Sequence, residues 1–181
     1  MTTDADKDKK HQARMQRIKE KVDARVDSAQ EERGLLIVIT GNGKGKSTSG
    51  FGTLTRAVGH GYTAAALQFI KGEWACGERN LLEKNGVEFH VMATGFTWNT
   101  QDKSKDIAAA KKVWLEAKRL LKDETIDVVL LDELTYMLSY KYLDLDEVIE
   151  AIVNRPAMQH VIVTGRACHR RVIELADTVS E

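Results

Sequence analysis

Apolar and polar positions fall into blocks along this chain, and the period changes from block to block. Within residues 11–33, Met15, Ile18, Val22, Val26 and Ala29 recur at steps of three and four. That is one narrow apolar stripe on a helix, and Gly34 predicts its stop. Residues 1–10 are mostly charged or polar and predict disorder. A stripe this thin builds no core, so the helix is expected to dock on its own domain, a partner or a ligand.

Beyond Gly34 short apolar runs alternate with helical patterns. Residues 35–40 (LLIVIT) read as a strand covered on both faces. Residues 46–60 follow as a helix, 64–70 as a strand, 78–85 as a short helix ended by Gly86, and 87–92 as a third strand. Residues 101–122 place Ile107, Ala110, Val113, Trp114, Ala117, Leu120 and Leu121 on one side of a helix. Residues 126–131 (IDVVLL) predict another buried strand, and 144–155 a helix stopped by Pro156. Residues 160–164 (HVIVT) predict a strand and 168–176 a last helix. The alternation predicts an α/β fold with a mainly parallel sheet flanked by helices. Residues 1–33 form its leader and 34–181 the domain.

Composition narrows the function. A chain of 181 residues with 43% hydrophobic positions suits one domain with a sizeable core. Its 27 basic and 27 acidic side chains balance, so no long-range field draws it to nucleic acid or an acidic membrane. No apolar run approaches a membrane span, and the polar N-terminus is no secretory signal. Cys76 and Cys168, far apart, suggest neither a disulfide framework nor a zinc site. A cytoplasmic protein with two reduced thiols is the expectation.

The strongest chemical signal is residues 40–47 (TGNGKGKS), between a buried strand and a helix. They fit G-x-x-x-x-G-K-[ST] with Thr40 in place of the first glycine. The loop of Gly41, Asn42, Gly43, Lys44 and Gly45 can curl so that backbone N–H groups line an anion nest. The following helix adds its positive end. Lys46 is placed to contact phosphate oxygens and Ser47 to ligate magnesium. Asp132 and Glu133 end the fourth apolar strand, where an acidic residue holds magnesium directly or through water. Asp132 also suits a helix N-cap, and Glu133 suits a metal ligand or, in a hydrolase, a residue orienting water. These features define P-loop nucleotide binding; fold and cradle do not name the reaction.

Further segments do. Gly41-Asn42-Gly43-Lys44-Gly45-Lys46-Ser47, Gln68-Phe69-Ile70-Lys71-Gly72, Gly77-Glu78-Arg79-Asn80, Thr94-Gly95-Phe96-Thr97-Trp98, Leu131-Asp132-Glu133-Leu134 and Thr164-Gly165-Arg166 occur in register. Together they resemble the bacterial P-loop-type ATP:corrinoid adenosyltransferases, and the leader resembles that family's N-terminal helix. The resemblance implies a P-loop NTPase-like (RecA-like) fold. It implies ATP as co-substrate, magnesium (or manganese) as cofactor, a flavoprotein reductase as electron donor and a homodimer. It also implies attack by Co(I) of a corrinoid on the 5′ carbon of ATP, expelling triphosphate. ATP would lie reversed along the cradle. Phe96 and Trp98 would lie under the corrin and displace its lower axial ligand, and Ser47, where many relatives carry Thr, offers the same oxygen. Relatives generally continue beyond the position of Glu181. The competing expectations are an ATP-hydrolysing switch and a non-catalytic ATP- or corrinoid-binding module. His60, His160 and His169 are expected to be structural or surface residues.

Overall fold

The computed structural model describes residues 4–70, 76–92 and 103–181. It divides into two units, Met1–Glu32 and Arg33–Glu181. The first is helix α1, Asp4–Ser28. It begins earlier than the sequence pattern predicts: residues 4–10, within the stretch expected to be disordered, are its first turns. Asp4 and Asp6 lie in the first turn, where carboxylates suit the positive end of the helix. Lys7 Nζ donates to Asp4 Oδ1 at 2.9 Å. The helix ends at Ser28, whose hydroxyl donates to the Arg25 carbonyl, before Gly34 is reached. Met15, Ile18, Val22 and Val26 are all exposed.

The second unit is a six-stranded, all-parallel sheet in the order β3-β2-β4-β5-β1-β6. The elements in chain order are β1 (Leu36–Ile39), α2 (Lys46–Gly59), β2 (Ala64–Gln68), α3 (Gly77–Lys84), β3 (Glu88–Val91) and α4 (Lys103–Leu120). There follow β4 (Val128–Asp132), α5 (Leu134–Ser139), α6 (Leu145–Val153), β5 (His160–Thr164), α7 (Arg170–Leu175) and β6 (Thr178–Ser180). The wholly apolar strands are explained by burial on both faces. Alternate residues serve two cores. Leu36, Val38, Ala65, Leu67, Val129, Leu131, Val161 and Val163 pack with Val113 and Trp114 of α4 and Val148 and Ile152 of α6. Ile39, Ala64, Ala66, Val128, Leu130 and Ile162 pack with Phe51 and Leu54 of α2 and Leu82 of α3. Full burial of a side chain such as Phe51 or Leu54 contributes about 1.5–3 kcal/mol.

Two short elements, α5 and β6, were not predicted. The six residues of α5 show too few turns for a period, and β6 has three residues, all exposed. The last helix starts at Arg170 rather than Cys168, because the His169 imidazole caps it by accepting from the Arg171 amide.

Gly34 has a packing role in this unit. A β-carbon there would stand 2.0 Å from the Gln159 carbonyl oxygen. Gln159 is itself pinned, its side-chain amide donating to the carbonyls of Leu120, Asp123 and Ile126. Gly34→Ala must therefore push β1 away from β5. It is expected to lower unfolding free energy by about 1–3 kcal/mol, read as a lower urea midpoint at unchanged slope.

Because all strands run parallel, every strand-to-helix loop leaves one edge of the sheet. The loop after β1, the acidic pair after β4 and the Thr164-Gly165-Arg166 segment after β5 share that edge, with β5 standing between β1 and β4. Ligands of open α/β sheets bind in this position.

Candidate functional site

The loop after β1 is built for close approach by an anion. Gly41 and Gly45 hold φ of 87° and 101°, the left-handed region in which side chains are strained. Gly45 is the residue from which α2 starts. The first turn of α2 carries no acidic residue, so its positive end is not neutralised from within the helix. Asn42, Gly43, Lys44 and Gly45 are exposed, while Lys46 is 9% exposed. The Lys46 ammonium reaches back over the loop and donates to the Gly43 carbonyl at 2.6 Å. Ser47 is half-buried in the same turn.

The acidic pair lies across β5 from this loop. Asp132 is fully buried. Its Oδ1 accepts from the Thr164 hydroxyl at 2.7 Å and its Oδ2 from the Gln68 side-chain amide at 3.2 Å. Glu133 turns the chain from β4 into α5 with φ of 63°, an uncommon conformation for a residue with a side chain. Its amide donates to Thr164 Oγ1 at 3.0 Å, and the residue is half-buried, with its carboxylate Oε2 out of contact with solvent. Gly165, φ 134°, lies against it: a β-carbon there would come within 2.1 Å of Thr135 Oγ1 and 3.3 Å of Glu133 Oε2. Tyr136 is nearby, its phenol pushed up by burial and by the Glu133 charge. The site thus collects oxygen donors of the kind hard divalent cations take, beside a helix N-terminus and a lysine suited to phosphate.

Sequence reading singled out Lys46, Ser47, Asp132 and Glu133, and the topology gathers the elements that carry them at one edge. It assigned no role to Gln68 and Thr164, although both fall within family-like segments. A usable signal was present: β2, β4 and β5 are apolar runs that each end in a polar residue. Phe96 and Trp98 lie outside the described residues.

Other reactive groups are accounted for elsewhere. Burial pushes the Cys168 thiol up to about 11, which makes it a poor nucleophile. His160 Nδ1 accepts from the Leu35 amide at the opposite edge of the sheet. Among the described residues one trio has metal-ligand spacing: Glu88, His90 and Glu116. There Arg119 bonds both carboxylates. Burial acts to raise the Glu88 carboxyl, but the His90 hydrogen bond and the Arg119 charge hold it below its ordinary value.

Fold and loop together define a P-loop NTPase-like α/β protein. Residues 32–181 match the family described as ATP:corrinoid adenosyltransferase BtuR/CobO/CobP, and residues 1–26 match cob(I)alamin adenosyltransferase N terminal. A corrinoid adenosyltransferase of Escherichia coli K12 is 64% identical over 174 residues, covering 96% of this chain and 89% of its own length. One of Salmonella typhimurium is 61% identical over the same shares. One of Pseudomonas aeruginosa is 48% identical over 183 residues, 100% of this chain and 90% of its own. The chain belongs to the ATP:corrinoid adenosyltransferase family.

Proposed function

We infer that this protein transfers the 5′-deoxyadenosyl group of ATP to Co(I) of a corrinoid and releases triphosphate. The observation that carries the reading is the phosphate cradle of residues 40–47, opposite an acidic pair, in a chain that matches the adenosyltransferase family along its whole domain. The reduced corrinoid attacks the 5′ carbon; a cobalt–carbon bond forms and the carbon–oxygen bond breaks. The triphosphate leaves with that electron pair. The nucleophile carries no proton, so no general base is required. The protein's part is to hold ATP and to stabilise the charge that collects on the departing oxygens. Amides of residues 41–45 and the Lys46 ammonium serve that purpose.

The donor set fits magnesium or manganese: a hydroxyl from Ser47 and the carboxylates of Asp132 and Glu133, either of which would hold the cation directly or through water. When bound, the cation neutralises part of the triphosphate charge. Phe96 and Trp98 serve the corrinoid side. Adenosylcobalamin synthesis or salvage in the cytoplasm, a flavoprotein reductase to deliver the electron, and a homodimer complete the reading. No helix among the described residues is long and apolar enough to cross a membrane.

The test is direct. Protein mixed with Mg-ATP and chemically reduced cobalamin is expected to give the spectrum of the adenosylated product and one triphosphate per turnover. ADP and phosphate in its place would overturn the assignment. The exposed apolar stripe of α1 is proposed to serve the corrinoid half of the reaction rather than ATP binding. Deleting residues 1–30 is therefore expected to lower corrinoid turnover at least tenfold more than ATP affinity. Equal losses in both measurements would leave α1 a purely structural helix.

A further inference from the structure

Four adjacent strands end in a buried polar residue: Gln68 of β2, Asp132 of β4, Thr164 of β5 and, just past β1, Thr40. Gln68 pairs with Asp132 and Thr164 with Ile39 in the sheet register. Polar side chains in a sheet so thoroughly apolar need partners; Gln68, Asp132 and Thr164 find them in one another, and the Thr40 hydroxyl accepts from the Cys168 amide. Thr164 is the centre. Its hydroxyl donates to Asp132 Oδ1 at 2.7 Å and accepts from the Glu133 amide at 3.0 Å. Gln68 donates to the remaining oxygen, Oδ2, at 3.2 Å.

We propose that Thr164, with Gln68 in support, is the positioning residue of the Asp132–Glu133 pair, setting both carboxylates to receive the divalent cation that accompanies ATP. This rests on the metal reading given above. A carboxylate bonded at both oxygens is fixed in rotation, as outer partners of metal ligands commonly arrange. The same hydroxyl fixes the main chain of Glu133, whose left-handed φ of 63° persists only where surroundings hold it. The Thr164 hydroxyl thus ties the chain direction out of β4 to the neighbouring strand, beside the main-chain bonds from Phe69 to Asp132 and from Tyr136 to Glu133.

Thr164 has a second feature from which this role must be separated. Its methyl packs over Gly50 of α2, where a β-carbon would come within 3.0 Å. Thr164→Val keeps the methyl and loses the hydroxyl; Thr164→Ser does the reverse. The measurement is binding rather than turnover: manganese–ATP affinity by paramagnetic resonance, beside metal-free ATP affinity by equilibrium dialysis. Thr164→Val is expected to weaken manganese–ATP binding about tenfold, the effect of one hydrogen bond to a charged group. Its metal-free ATP binding should stay within about twofold, and Thr164→Ser should bind manganese–ATP like the unaltered protein. Thr164→Val at unaltered affinity, or Thr164→Ser as impaired as Thr164→Val, would overturn the role. If Thr164→Val does not fold, Gln68→Leu carries the test, with about two- to fivefold weakening expected for its longer bond and unaltered affinity as the refuting result. Asp132→Asn and Glu133→Gln distinguish the two layers. If both bind manganese–ATP unchanged, the metal reading falls and the positioning role with it. If either weakens binding while Thr164→Val does not, the positioning role alone falls.

Discussion

Lys46→Ala is expected to lower kcat/KM for ATP by about ten- to a hundredfold, the equivalent of one charge-assisted contact of roughly 1.5–3 kcal/mol. Charge builds on the triphosphate as the carbon–oxygen bond breaks, so the ammonium is worth more in the transition state than in the bound ground state. The loss should therefore fall more on kcat than on KM. Stability should change little, since the ammonium's one partner among the described residues is the carbonyl of Gly43 in an exposed loop. Lys46→Arg is not a rescue: the guanidinium is a planar fork, and the loop offers a point charge one carbonyl to lean on. Stopped-flow single turnovers with pre-reduced cobalamin check the split. A variant with unaltered kcat would remove residues 40–47 from the reaction.

How far the sequence carried this picture depends on the length scale of each signal. Strands β1, β2, β4 and β5 were legible because burial on both faces makes each a largely apolar run, whereas β3 (EFHV) is only half-buried and mixes apolar with charged positions. The helices α2, α4 and α6 were legible through their 3.6-residue stripes. What failed was short or set by tertiary contact. Six residues of α5 follow a left-handed Glu133 whose amide is held by Thr164 of the neighbouring strand, a tertiary contact. Three exposed residues of β6 become a strand only because β1 lies alongside. The leader's start was missed because charge density was read as disorder, whereas two of those charges favour a helix N-terminus.

The site divides the same way. Lys46 and Ser47 belong to a contiguous motif whose spacing reports its chemistry, so sequence alone finds them. Asp132 and Glu133 are found by position at the end of an apolar strand. The enclosure and hydrogen bonding of Asp132 are visible only once β2 and β5 stand on either side of it. Gln68 and Thr164 are separated from it by 64 and 32 positions, and no local pattern links them. The closeness of Gly165 to Thr135 and Glu133 is equally a product of the fold.

Phe96→Ala and Trp98→Ala are expected to cripple adenosylation when a weak, flavin-based reductant supplies the electron, and to recover much of it when cobalt is reduced beforehand by a strong chemical reductant. The family resemblance implies one task for these rings, displacing the lower axial ligand of the bound corrinoid. That task precedes any attack on ATP. A metal centre that loses axial donation becomes easier to reduce, so the rings act on the electron-transfer step and not on phosphate stabilisation. ATP affinity should accordingly move less than twofold, in contrast to Lys46→Ala, because the phosphate contacts are assigned to residues 40–47 and not to these rings. Spectra of the bound Co(II) corrinoid should show less of the four-coordinate form in each variant. Rings that merely filled a core would behave differently: truncation would cost about 3–5 kcal/mol of stability and depress every activity together. A folded Trp98→Ala or Phe96→Ala protein that binds ATP normally and works equally well with both reductants would refute the ligand-displacing role, while leaving the assignment of the phosphate cradle untouched.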